Sequence, residues 1–108
     1  MKYIQKAKSY LFLLTDSETT PEQVRCLIGT ASLKQLNAIS EILFNLIYGN
    51  LKLNKEITIK VRRYKALLDF ISTHDNTFSS RMKAMRQHIR LISSIIIGVA
   101  PHIKSILK

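Results

Sequence analysis

The sequence predicts an all-α protein: one domain over residues 1–108, folded as a compact bundle of four to five helices. Three observations lead there. Apolar residues recur at alternating spacings of three and four in every segment, the period of a helix with one buried face. Two stretches, Thr20-Pro21-Glu22-Gln23 and Ser32-Leu33-Lys34-Gln35, have the form of reciprocal N-terminal caps. Glycine (3) and proline (2) are too scarce to supply the turns of a β-sandwich. With 46% of its 108 residues apolar, the chain can bury a core, which excludes disorder over most of its length. The one short rival for a strand, Ile57-Thr58-Ile59-Lys60-Val61, lies inside a better helical frame.

In the first helix Ile4, Ala7, Leu11 and Leu14 share a face, and the acidic, Ser/Thr-rich run 15–20 ends it. Thr20 then caps a short second helix, with Pro21 at the first helical position and Val24, Leu27, Ile28 and Ala31 facing inward. Ser32 opens a third helix that runs to Ile47 or Tyr48. Its apolar residues Leu36, Ile39, Ile42, Leu43, Leu46 and Ile47 cover too wide an arc for a surface helix, so it is expected at the centre of the core. Gly49 reads as the residue just past its C-terminus. Asn54 caps a fourth helix with Ile57, Val61, Tyr64, Leu68 and Ile71 in one stripe and Lys55, Arg62 and Arg63 nearly opposite. The last helix carries a heptad-like seam through Phe78, Met82, Met85, Ile89, Ile92, Ile96, Val99, Ile103 and Ile106. Pro101 lies within it, predicting a kink near residues 97–100 that Gly98 would ease.

Charge divides the chain unevenly. Residues 1–50 hold five Lys/Arg and four Asp/Glu, a balance of +1, and residues 51–108 hold twelve and three, a balance of +9. A near-neutral half joined to a basic half points to a polyanionic partner, nucleic acid or anionic lipid, with a merely well-solvated surface as the alternative. The single cysteine, Cys26, allows no intramolecular disulfide, fits a reducing compartment and is expected to be buried among Val24, Leu27 and Ile28. The apolar run of residues 10–14 is too short for a secretory signal. The longest apolar stretch, residues 91–103, falls short of the ~20 residues of a spanning helix, so no transmembrane segment is expected.

Nothing in the sequence has the form of catalytic machinery. His74, His88 and His102 are too far apart to share a metal, and there is no nucleophile–base constellation, carboxylate pair, phosphate loop or zinc signature. The reading is a non-enzyme without cofactor or metal. The basic residues are more informative. Lys60, Arg62, Arg63 and Lys65 crowd six positions, and Lys83, Arg86 and Arg90 fall at i, i+3 and i+7, one stripe beside the apolar seam. Cations on helix faces contact phosphates and release counterions, which positions a protein without reading bases. The chain has no tryptophan and no aromatic row between these cations, so the expected partner is nucleic acid, DNA in particular, bound non-specifically. The Ile-rich seam Ile89, Ile92, Ile96, Val99 and Ile103 admits other readings: core packing or a homo-oligomer contact, a partner groove, or a membrane-active amphipathic helix.

The middle of the chain resembles a family of small basic proteins encoded by Polinton/Maverick-type elements and adintovirus-like DNA viruses of animals. The resemblance spans roughly residues 20–100 and is carried by Gln35-Leu36, Glu41-Ile42, Asn45-Leu46, Gly49-Asn50-Leu51-Lys52-Leu53, Arg63, Lys65 and Leu67-Leu68. It departs at Gln87-His88-Ile89-Arg90-Leu91, where the family pattern often has a glycine-bearing element and a bend. Here the heptad predicts continuous helix. The resemblance implies a virion-associated structural protein, placed in the virion or the host nucleus. It implies no particular binding residues.

Overall fold

The computed structural model of the protein describes residues 2–49 and 53–107. Among them are eight helices and no strand: α1 (Lys2–Lys6), α2 (Lys8–Thr15), α3 (Pro21–Gly29), α4 (Leu33–Tyr48), α5 (Lys55–Arg63), α6 (Lys65–Ser72), α7 (Phe78–Gln87) and α8 (Ile89–Leu107). The expected count of four to five is therefore too low, and the reason is local. Three of the expected helices are each broken by one residue, Ala7, Tyr64 or His88, with ψ of 32°, 23° and 33° in place of the helical value. Ala7 and His88 donate to the carbonyl three residues back, a tightened turn, while Leu11, Leu68 and Ile92 bond back to the three break residues. The chain bends at each break without leaving its backbone polar groups unpaired.

Both capping boxes form as their sequences require. The Thr20 and Ser32 hydroxyls accept from the backbone N–H of Gln23 and Gln35, whose side-chain oxygens accept in return from the cap residues. Asn54 caps α5 and Thr77 caps α7 in the simpler one-bond manner. The first helix is held at its start by a residue far along the chain. The Glu41 carboxylate reaches over from α4 and accepts from the N–H groups of Tyr3 and Ile4. Gly49 ends α4 in an extended conformation, not a left-handed one. A Cβ there would run into the Asn45 carbonyl that its own N–H bonds.

The buried apolar residues form one cluster around two long helices. As expected, α4 contributes Leu36, Ile39, Ile42, Leu43 and Leu46, packed against α1 and α6. The second is α8, whose Ile92, Ile95, Ile96, Val99, Ile103 and Leu107 are buried, with α2 and α3 packed against the helix. Burying each such side chain is worth about 1.5–3 kcal/mol. α8 continues unbroken through Pro101, so the expected interruption occurs at His88 and not at the proline. Pro101 and Ile97 sit on the exposed side, where water can take the carbonyl that proline leaves without a donor. Gly98 serves a different end from the expected bend. Its missing Cβ leaves room for Ile57 Cδ1 where α5 meets α8.

Two further expectations are corrected. Phe78, placed on the seam, is 40% exposed: it shares the face of Met82 and Met85 but is the first residue of α7, where the helix begins at the surface. Cys26 is exposed, two residues from both Val24 and Ile28 and on the opposite side of α3 from the line that faces the core. α8 is also longer than the apolar run that marked it. At 19 residues and a mean hydropathy of 1.4, it is long and apolar enough to cross a membrane by length and composition. In this fold its apolar face is a core surface.

Candidate nucleic-acid interface

The seven cations singled out from the sequence do not form one stripe. The last turn of α5 supplies Lys60, Arg62 and Arg63, and cations there complement the negative end of that helix's dipole. Lys60 is half-buried and committed. Its Nζ lies 3.6 Å from Glu56 Oε1 and donates to Ser94 Oγ at 3.4 Å. Arg62 and Arg63 are exposed. The break at Tyr64 follows, and Lys65 opens α6 exposed, with its Nζ 5.4 Å from the Tyr48 ring centroid. Ser94 is one turn from Arg90 on α8, so the Lys60–Ser94 bond ties Lys60 to the helix that carries Arg90.

The break at His88 separates Lys83 and Arg86 from Arg90 and divides the expected stripe. Lys83 is exposed on α7. Arg86 is exposed but occupied: its Nε donates at 2.8 Å to the carbonyl of Gly29, the last residue of α3. The seam residues are also accounted for. Ile92, Ile96, Val99 and Ile103 are buried in the chain's own core and Ile89 is half-buried against it, so this face is not free to make an oligomer contact or a membrane surface in the folded state.

Arg81 is the basic residue that sequence reasoning left out of every site. It is only 2% exposed. Its Nε donates to the Ile71 carbonyl at 2.8 Å and its Nη2 to Asn37 Oδ1 at 3.2 Å and Ser40 Oγ at 2.6 Å. The guanidinium thus closes the C-terminus of α6 and ties α4, α6 and α7 together. No described carboxylate lies within ion-pair distance of it. Burial pulls its pKa below the usual arginine value, opposed by the nearby Tyr3 phenol. One signal was legible: Arg81 stands beside Met82 and four residues before Met85, on the face those methionines bury.

Among the described residues, the Lys60–Glu56 contact is the one ion pair, so Arg62, Arg63, Lys65, Lys83 and Arg90 present charge that no carboxylate neutralises. Such an array attracts phosphate electrostatically and carries no base-reading geometry. No three His, Cys, Asp or Glu side chains gather where a metal could sit among these residues. An aromatic pair from another helix approaches the first cluster through Lys65: Tyr48 and its neighbour Phe44 project from α4, 53% and 51% exposed, with ring centroids 4.9 Å apart. Asn50, Leu51 and Lys52, part of the motif behind the family resemblance, lie outside the described residues. Comparison with protein-family models, with curated proteins and with solved structures found no match to this chain.

Proposed function

We propose that the protein is a small, basic, non-enzymatic structural protein that binds nucleic acid through its phosphates, without sequence preference, in the manner of a DNA-packaging or condensing protein. The observation that carries this reading is the set of exposed, unneutralised cations Arg62, Arg63, Lys65, Lys83 and Arg90 on a chain of net charge +10. Lys60 and Arg86 are tied into the fold, to Ser94 of α8 and to the Gly29 carbonyl of α3. The resemblance of residues 20–100 to Polinton and adintovirus proteins adds a setting to this reading: a virion component acting on viral DNA.

Charge reversal at Arg62 and Arg63 tests it. Each phosphate neutralised on duplex DNA contributes about −0.9 to the slope of log affinity against log salt. Arg62→Glu with Arg63→Glu should make that slope shallower by about 2 and weaken binding at low salt. Unchanged affinity and slope in the double variant would remove the assignment. A second reading, membrane association through α8, draws on that helix's length and hydropathy. It requires α8 to leave the core, and leakage of anionic vesicles together with loss of the native fold would favour it.

A further inference from the structure

The proposed reading leaves one surface of the molecule unused. Phe44 and Tyr48 are one helical turn apart on the outer face of α4. Beyond Phe44, Tyr3 and His74 form a second ring pair, with centroids 5.0 Å apart. The two pairs adjoin. Tyr3, Phe44 and His74 line one open depression of about 240 Å³ with Ser40, Glu41 and Ser72. A lysine lies over a ring at either end, Lys2 5.9 Å from the Tyr3 centroid and Lys65 5.4 Å from that of Tyr48. Two acids near these rings are engaged: Glu41 accepts from the N–H groups of Tyr3 and Ile4 in α1, and Asp69 accepts from the Tyr48 hydroxyl at 3.1 Å. Beneath the floor Arg81 is bonded to Ser40 Oγ.

We infer that this ridge binds single-stranded nucleic acid, with unpaired bases stacked on Tyr48, Phe44 and the Tyr3/His74 pair and the phosphates drawn to Lys2 and Lys65. Exposed rings separated by cations are what sequence-tolerant single-strand binding uses, because every base has a π-face to offer. A duplex cannot use them, since its bases are already stacked on one another. This inference rests on the nucleic-acid reading above, which it narrows. Lys65 belongs to both surfaces, over the Tyr48 ring and two residues from Arg63 in the chain.

The test is fluorescence anisotropy with a labelled oligo-dT and a random duplex of equal length, at matched salt, for four forms of the full chain. Wild type should bind oligo-dT more tightly than duplex. Phe44→Ala with Tyr48→Ala should weaken oligo-dT binding by about fivefold or more beyond any effect on duplex, and Phe44→Tyr with Tyr48→Phe, which keeps both rings, should retain it. Both positions are half exposed, and an unchanged circular dichroism spectrum confirms that each variant is folded. Equal losses on both ligands, or no loss on oligo-dT, would overturn the ridge. The phosphate reading would still stand if Arg62→Glu with Arg63→Glu weakens duplex binding in the same assay. Should the alanine pair instead abolish a self-associated species and leave oligo-dT binding intact, the ridge is a contact between copies of the chain and the inference fails.

Discussion

Arg81 and Arg62 are chemically the same residue and do opposite things. Arg62 stands in water at the end of α5, where its charge is available to a partner. Arg81 is enclosed, and its planar fork donates to acceptors on α4 and α6, sharing the Ile71 carbonyl with the Ser40 hydroxyl. Arg81→Met should therefore cost about 3 kcal/mol of stability, since it removes three charge-assisted hydrogen bonds that join α4, α6 and α7. Arg62→Met should stay within about 0.5 kcal/mol of wild type. Urea midpoints of the two variants check this, and similar values would mean that Arg81 is not the clamp described. The sequence distinguishes the two arginines only weakly, because both sit in basic helices and burial depends on how far each helix rotates. Tyr10 shows the reverse case: burial raises its phenol pKa, and the hydroxyl finds a partner in the Leu27 carbonyl, a contact between helices that spacing alone does not reveal.

At the scale of elements, starts were far more legible than interruptions. A capping box is written in four consecutive residues, so Thr20 and Ser32 could be located to the residue. The bends at Ala7, Tyr64 and His88 involve neither glycine nor proline, and the apolar period passes through all three without a phase change. They follow from tertiary packing, as each half-helix turns to meet a different neighbour: α6 packs on α4 while α5 meets α8, and α7 packs on α6 and α3 while α8 covers α2 and α3. Pro101 failed as a signal for the complementary reason, since its cost falls on an exposed turn. If the boxes hold the helix starts as drawn, Ser32→Ala should lower stability by about 1 kcal/mol, and Ser32→Gly by only a few tenths. Chemical denaturation of the pair measures it, and an equal cost for both would indicate that the hydroxyl bond is not what matters there.

The whole molecule sorts its two dominant compositional features onto different places. Its apolar excess goes largely inward, and the Ile-rich run that invited membrane and oligomer readings contributes one wall of the core. Its positive excess stays largely outside, although three of the basic residues, Lys60, Arg81 and Arg86, are tied into the fold. All-helical architecture and the central place of α4 could be read from periodicity. The shape of the candidate surface could not, because it depends on which helices lie side by side, and the aromatic ridge joins residues as distant as Tyr3 and His74.

The central claim is that the exposed cations serve nucleic acid. Anisotropy of a labelled random duplex, titrated with the wild-type protein across a salt series and then challenged with anionic vesicles, tests it most directly. Five exposed cations predict a linear fall of log affinity with log salt of slope about −4.5, and binding that survives the vesicles. A flat salt response, no binding at low salt, or full displacement by vesicles would contradict the account.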